Sequence, residues 1–340
     1  MKKNIIALAI ASAIAAPVAF ADAPTVYGQG YLSIDNLTDK GTSLNSHSSR
    51  IGIKGSEDLG NGLKAVYKME FGVNMTETDS GLSGRNAYVG LAGGFGTVLM
   101  GRHDTPFKMI QGKDLFNDAT KKGYGDNKPM AGGLGIGGGE VRAEKVVAYV
   151  SPSFGGVKII AAGVSGNNNS NANASTSAAD GYGVDANDAA LTNAYSVAAT
   201  YGSKKKGLYL AGAYNNWDSK MNVTNGVDDV KETRLVAQYA TSGLLANVMF
   251  QDFDTSDVAT EGTNLQANIG YKMGKIMPKL KYSMVDYKDS AMNDGNAFAV
   301  GIDYSLGKKT TAKLDFVNYD KDLTGGKASN LVSVGLLHKF

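Results

Sequence analysis

The feature that most constrains the fold of this chain is a long series of short segments in which apolar and polar residues alternate. In the clearest segment, residues 64–71, the odd positions are apolar and the even positions include Lys64, Lys68 and Glu70. Successive side chains of a β-strand point to opposite faces, so this pattern predicts a strand with one apolar and one charged face.

The alternating segments form one strand, seven hairpins and a last strand, which makes sixteen strands between Val26 and Phe340. Short turns such as residues 93–96 alternate with longer polar connections. Short turns on one side and long loops on the other are typical of outer-membrane barrels, and an even strand count lets the sheet close. A soluble sandwich also has short alternating strands. The predicted fold is all-β, a 16-stranded antiparallel transmembrane β-barrel.

The N-terminal residues 1–21 have the pattern of a secretory signal peptide. Lys2 and Lys3 precede an apolar run, and Ala19-Phe20-Ala21 is a small-x-small cleavage site before Asp22. The run is too short and wrongly flanked for a membrane span. We therefore expect residues 22–340 to be exported as one barrel domain.

Charge and cysteine content exclude several classes of protein. The chain has 34 Lys and Arg and 32 Asp and Glu, so removal of Lys2 and Lys3 leaves it neutral, which gives no argument for nucleic-acid binding. It has no cysteine, which excludes disulfides and thiolate chemistry. No segment after residue 21 approaches the ~20 apolar residues of a membrane helix. With sixteen strands the polar face would line an aqueous lumen, and the apolar face would meet lipid or a neighbouring subunit.

The stretch from His103 to Ala143 interrupts the alternation and ends in a glycine run, residues 132–139. A loop of this length without its own pattern is usually functional. We expect it to fold into the barrel and narrow it. Gly133 to Gly138 match G-x-G-x-x-G formally but lack the preceding strand and following helix of a dinucleotide site.

Several motifs give the chain a family resemblance. Residues 334–340, Val-Gly-Leu-Leu-His-Lys-Phe, resemble the closing strand of general porins of Gram-negative bacteria, most closely the Neisseria and Burkholderia type. Residues 49–55 followed by 57–62 resemble the second strand and first turn of that family, and residues 86–91 and 96–102 resemble its fourth and fifth strands.

The resemblance implies a homotrimer with one pore per subunit and an inward-folded third loop, residues 103–143, that forms an eyelet. It places a basic cluster on the facing wall, to which Arg50 and Arg85 correspond and which Arg102 joins. Asp114 and Asp118 are our choice for the acids of the loop. Gln29 and Leu337 replace residues that are often basic in the family, which argues against strong anion selectivity.

The predicted function is passive diffusion of small hydrophilic solutes and ions across the outer membrane, in contact with its lipid and lipopolysaccharide, without a cofactor. The alternative is a surface adhesin or receptor, suggested by the polar loop of residues 166–193. An outer-membrane enzyme is disfavoured because no Ser/His/Asp arrangement is evident near a strand end. His47, His103 and His338 are too scattered for a metal site.

Overall fold

The computed structural model describes residues 23–38, 40–77, 81–116, 140–165, 182–184, 190–217, 221–223, 229–254, 261–289, 294–324 and 326–340. These residues include two short helices, α1 (Pro106–Met109) and α2 (Lys321–Thr324). The strands are β1 (Thr25–Leu37), β2 (Gly41–Ser46), β3 (Arg50–Gly60), β4 (Leu63–Val73), β5 (Leu82–Gly93), β6 (Gly96–Asp104), β7 (Arg142–Val150), β8 (Val157–Val164), β9 (Tyr182–Val184), β10 (Ala194–Gly202), β11 (Gly207–Trp217), β12 (Met221–Val223), β13 (Val230–Ala240), β14 (Leu244–Asp254), β15 (Gly262–Tyr271), β16 (Ile276–Tyr287), β17 (Gly295–Ser305), β18 (Thr310–Tyr319) and β19 (Ser329–Lys339).

The wall is a closed antiparallel sheet. Each strand pairs with the next along the chain, with β8 pairing with β10 and β11 with β13, and β19 returns to β1 with Leu32 opposite Leu336. Seventeen strands belong to this sheet, but β2 and β3 share one position beside β1, so the ring has sixteen positions. The predicted sixteen-stranded antiparallel barrel is confirmed.

One strand position is split in a way that the sequence pattern did not predict. The sequence pattern of residues 41–48 predicts a polar connection. In the structure, β2 pairs with the C-terminal half of β1, and β3 pairs with its N-terminal half. Between them Ser48 has a φ of 47°. A positive φ at a residue other than glycine is uncommon, so the sequence does not predict this break.

The two faces of the wall differ as the alternation predicts. Lys281 is 1% exposed, whereas its neighbour Tyr282 is 40% exposed on the opposite face. Outward-facing aromatic residues, including Tyr201, Tyr239, Tyr271 and Tyr304, lie near the rim that carries the short turns. Amphipathic aromatic rings favour the membrane–water interface, so this row corresponds to an interfacial girdle.

The short turns contain residues suited to left-handed backbone. In the turn between β3 and β4, Gly60, Asn61 and Gly62 have φ of 84°, 52° and 76°. Glycine reaches this region without a Cβ clash, and Asn tolerates it better than most residues. The chain therefore reverses direction within the short turn that the sequence pattern predicts.

The remaining parts of the chain contribute little to the wall. A separate two-stranded sheet joins β9 to β12, which puts one short strand inside the predicted polar loop of residues 166–193. Most of that loop and the predicted signal peptide lie outside the described residues. Within the described part of the chain, every helix is too short or too polar to span a membrane.

Candidate pore constriction

The segment after β6 begins with a capped helical turn. Thr105 has extended backbone, and its Oγ1 accepts a hydrogen bond from the Lys108 N–H at 3.3 Å. Pro106 occupies the first helical position, where its fixed φ fits and its missing N–H leaves no donor unsatisfied. The local sequence Thr-Pro therefore starts α1 and turns the chain away from the direction of β6.

Side chains from five strands hold the backbone of residues 107–115. The Ser196 hydroxyl and the Gln238 side-chain oxygen accept from the N–H groups of Phe107 and Lys113 at 3.0 and 2.8 Å. Tyr209, Asn247 and Lys279 donate to the carbonyls of Ile110, Lys113 and Leu115 at 3.3, 2.8 and 3.1 Å. All five side chains lie on the face opposite the exposed apolar residues. The described start of the segment therefore lies against the polar face of the wall.

Arg234 on β13 is a central contact of this segment. Its side chain has no exposed surface, and its guanidinium carbon lies 4.3 Å from the centre of the Phe107 ring. The guanidinium donates to the Phe107 carbonyl at 3.2 Å and to the Gln251 side chain at 2.6 Å, and it pairs with the Glu140 carboxylate at 2.6 Å. Arg234 thus joins the start of the segment to Glu140, close to its end.

A second charged cluster contacts residues 114–116. Lys281 Nζ lies 2.5 Å from the Asp114 carboxylate, and both side chains are buried. Lys279 Nζ lies 2.8 Å from both Asp303 and Asp315 and 4.4 Å from the centre of the Phe116 ring. Asp114 is therefore bound at the wall, while the predicted partner acid Asp118 lies outside the described residues.

A basic wall, defined here as four cationic residues near Tyr27 and Glu70, occupies β3, β4 and β5. Its members are Arg50, Lys54, Lys68 and Arg85, which surround Tyr27 and Glu70. Arg85 Nε and Lys68 Nζ lie 2.6 and 3.2 Å from the Glu70 carboxylate, which also accepts from the Tyr27 hydroxyl at 2.7 Å. Arg50 donates to the Gln29 side chain at 3.2 Å. The structure thus places Arg50 and Arg85 in one cluster.

Arg102 on β6 lies beside this cluster and has different partners. Its guanidinium pairs with Glu144 and donates to the Gly84 carbonyl at 3.3 Å. A Cβ added to Gly84 would lie 2.8 Å from that guanidinium, so glycine leaves the space that Arg102 occupies. Glu144 is half exposed, and its charge offsets that of Arg102.

The structure also brings a Ser/His/Asp group together, which was not expected from the sequence. The Ser33 hydroxyl lies 2.5 Å from His47 Nε2 and donates to the Asp35 carboxylate at 2.6 Å. Asp35 approaches the same ring nitrogen, Nε2, at 3.2 Å. A catalytic triad requires the acid and the nucleophile on different ring nitrogens. This buried group therefore ties β1 to the break between β2 and β3 and lacks the geometry of a nucleophilic site.

Three properties define the class to which this molecule belongs: a closed ring of sixteen antiparallel strands, an apolar outer face and a charged inner face. They are those of a pore-forming barrel. The chain belongs to the Gram-negative porin family, whose family model matches residues 7–324. The predicted family is thereby confirmed.

Individual relatives agree with this membership. The chain is 31% identical over 373 residues to the major outer membrane protein P.IB of Neisseria meningitidis serogroup A, with all of both chains covered. Among solved structures it resembles an anion-selective porin from Comamonas acidovorans, with a TM-score of 0.71, 21% identity and coverage of 94% of this chain and 99% of that one. It also resembles OmpT of Vibrio cholerae in its trimer form, with a TM-score of 0.61, 18% identity and coverage of 94% and 100%.

Family and fold together establish the general activity. The protein is an outer-membrane pore for passive diffusion, as the sequence predicted, and membership of this family implies a channel rather than an enzyme. The charged contacts of Arg234 and Lys279 were not predicted. Lys279 lies between Pro278 and Leu280, and Arg234 lies between Thr233 and Leu235, so alternation indicates the face of each side chain but not its partner.

Proposed function

We propose that residues 103–143 form the constriction of this pore and that the basic wall faces it. The contact that carries the proposal is the set of hydrogen bonds from five strands to the backbone of residues 107–115, which keep this segment against the polar face. Arg234 and Glu140 then draw the end of the segment toward its start. A segment held in this way reduces the cross-section available to water and solutes.

The charge of the basic wall supports a preference for anions. Lys68 and Arg85 pair with the carboxylate of Glu70, while Lys54 lies over the Tyr27 ring and Arg50 contacts Gln29, so this wall has four cations for one carboxylate. Asp114, in contrast, is neutralised by Lys281. Clusters of charge at a constriction set ion preference, while its radius sets the size limit. The similar porin from Comamonas acidovorans is named as anion-selective. We assign small hydrophilic solutes and inorganic anions as the preferred cargo, with Arg50 and Arg85 as the selecting residues.

Polymer exclusion in planar bilayers tests the constriction. We expect stepwise openings from the wild-type protein and a larger polymer cut-off after residues 117–139 are replaced by a short glycine linker. Removal of residues 167–189, the same number of residues from another loop, is the matched control and should leave the cut-off unchanged. An unchanged cut-off in the first variant would contradict the assignment of residues 103–143.

Assembly and processing complete the proposal. The similarity to an outer membrane protein solved in its trimer form supports a homotrimer. We infer that this homotrimer is in contact with outer-membrane lipid and lipopolysaccharide. The pattern of residues 1–21 supports cleavage after Ala21, so the intact mass of the exported protein should correspond to a chain that begins at Asp22. In the buried group of Ser33, His47 and Asp35, the serine and the acid both approach Nε2 of the histidine, and we assign no catalytic activity to the pore.

A further inference from the structure

The outer wall of the barrel carries an apolar groove across β15 to β18 that the pore itself does not use. Its volume is about 720 Å³, within the range of sites that hold small organic ligands. The lining includes Ile269, Leu280, Val300, Ile302, Leu314 and Phe316. Because this face of an outer-membrane barrel meets lipid, the groove is open to the hydrocarbon region of the membrane.

The groove results from a difference in size between side chains that lie opposite one another on neighbouring strands. Val300 lies opposite Leu280 on one neighbouring strand and opposite Phe316 on the other. A small side chain therefore stands between two larger ones, and the surface is recessed at that point. The recess is a few side chains wide and runs along the wall, and this shape suits an extended hydrocarbon chain.

Lysines lie on the short turns at the end of this groove. Lys275 belongs to the β15–β16 turn, and Lys308 and Lys309 belong to the β17–β18 turn; all are exposed. The Lys275 carbonyl accepts from Ser305 N–H at 2.8 Å, and the Lys309 carbonyl accepts from Lys339 N–H at 2.9 Å, so these turns are adjacent. None of the three lysines forms an ion pair with a described residue.

The distance between the lysines and the groove matches the distance between the headgroup and the acyl chains of a lipid. Lys275 precedes Pro278, which lines the groove, by three residues, or about 10 Å of strand. Between them Tyr304, opposite Ile276, occupies the girdle position where amphipathic rings meet headgroups.

Several other short turns do not share this charge. The β5–β6 and β13–β14 turns contain no charged residue, and the end of β3 carries Glu57 and Asp58. Positive charge on the short-turn side is therefore uneven. Lysines occur on the two turns at the end of the groove and on the β10–β11 turn, which carries Lys204, Lys205 and Lys206 and lies away from the groove.

We propose that this groove and its lysines bind one anionic phospholipid of the periplasmic leaflet. An acyl chain lies along Leu280, Val300 and Ile302, and the phosphate accepts hydrogen bonds from Lys275, Lys308 and Lys309. The apolar lining matches the chain and the cations match the headgroup, so both halves of the ligand have a partner on the wall.

Native mass spectrometry of the folded assembly, released from nanodiscs that contain phosphatidylglycerol and phosphatidylethanolamine, tests the site. We expect phosphatidylglycerol to be retained preferentially, and retention to fall roughly ten-fold or more in the triple variant K275Q/K308Q/K309Q. The double variant K308Q/K309Q should also lose lipid, whereas the control K205Q/K206Q makes the same charge change on the β10–β11 turn, away from the groove, and should retain it. Val300→Trp fills the groove and should lower retention with all lysines present, whereas Val197→Trp on the outward face of β10 should not.

Three outcomes would overturn the proposal. They are equal retention of the two lipids by the wild-type protein, an equal loss in the two double variants, and dissociation of the assembly by Val300→Trp without loss of lipid. The last result would assign the groove to a second copy of the chain. Conductance should be unchanged in all these variants, because the substituted residues lie on the outer wall or on turns.

Discussion

Lys281 and Asp114 are separated by 167 positions in the chain, and yet Lys281 Nζ lies 2.5 Å from the Asp114 carboxylate. The side chain of Lys281 has no exposed surface, and that of Asp114 is 5% exposed. The pair joins β16 to the segment proposed to narrow the pore. A buried charge left without its partner is strongly unfavourable, so this pair should control the position of the segment more than the stability of the barrel.

Removal of one partner of this pair should loosen the constriction. We expect Asp114→Asn to leave the Lys281 ammonium buried and to weaken the attachment of the segment by about 3–5 kcal/mol, the usual effect of breaking a buried pair. Single-channel recordings should then show larger current fluctuations and a higher mean conductance. Lys288→Gln removes a cation from the more exposed pair with Glu261 and is the control. Current fluctuations and a mean conductance equal to those of the wild-type protein in Asp114→Asn would contradict this role.

Arg85 should influence which ions pass. Its guanidinium is partly exposed and shares Glu70 with Lys68. A unit charge 10 Å from a passing ion in water contributes about 0.4 kcal/mol, which is roughly a two-fold change in relative permeability. Reversal potentials in a salt gradient should therefore move toward cations by about this factor in Arg85→Gln.

Arg102 supplies the matched control for that measurement. Arg85 and Arg102 are each paired with one carboxylate, so each substitution removes one unit of positive charge. Because Arg102 lies outside the cluster around Glu70, Arg102→Gln should shift the reversal potential less than Arg85→Gln. Equal shifts in the two variants would mean that the cations of the wall act without regard to their position. No shift in Arg85→Gln would remove this residue from the selecting group.

The sequence predicted the wall much better than the site, for a physical reason. A strand with one face in lipid and one in water must alternate with a period of two, and this pattern is visible in residues 64–71 without knowledge of any partner. Closure followed from the even number of strands. The sequence did not predict the break at Ser48, because its positive φ occurs at a serine, whereas a glycine at this position would have indicated a turn.

The site depends on contacts between distant parts of the chain. Alternation predicted that Lys281 faces the lumen, but neither spacing nor residue type indicates that it meets Asp114. Arg234 likewise lies on an ordinary alternating strand, and its contacts with Phe107 and Glu140 arise only when the segment is in place. The resemblance predicted a shared basic cluster for Arg50 and Arg85, which the structure places on β3 and β5, with Arg85 at an irregularity in the β4–β5 pairing.

Arg234 should be intolerant of substitution, even by lysine. Its planar guanidinium stacks on Phe107 and contacts the Phe107 carbonyl, Gln251 and Glu140 at the same time. A lysine ammonium is a compact charge without a planar face and cannot reproduce this arrangement. We expect Arg234→Lys to lower the thermal unfolding midpoint in detergent and Arg234→Met to lower it further. Lys231→Met, an exposed change on the same strand, should be nearly neutral, and a similar loss there would remove the special role of Arg234.

Lys204 should make the stability of the folded pore depend on pH. It lies in the turn between β10 and β11, and its Nζ donates to the carbonyls of Met109 and Gln111, both at 2.6 Å. Burial lowers the pKa of Lys204 from its ordinary value of 10.5 to about 8, against the opposing effect of Glu140.

The sign of the effect follows from proton binding. The unfolded chain keeps the Lys204 proton up to about pH 10.5, whereas the folded protein loses it near pH 8, so the free energy of unfolding should rise between these values. A neutral amine still has two N–H groups, and both carbonyl contacts can persist. Unfolding midpoints measured at pH 7 and pH 10 should therefore show an increment in the wild-type protein that is absent from Lys204→Met.

The neighbouring residue separates this effect from the titration of other groups. Lys205 is exposed in the same turn. Lys205→Met should retain the wild-type increment between pH 7 and pH 10, because it leaves the buried amine of Lys204 in place. Lys204→Met should also be less stable at pH 7, since the carbonyls of Met109 and Gln111 lose a shared donor. If both variants lost the increment, the charge of the turn as a whole, and not the buried amine, would be the cause.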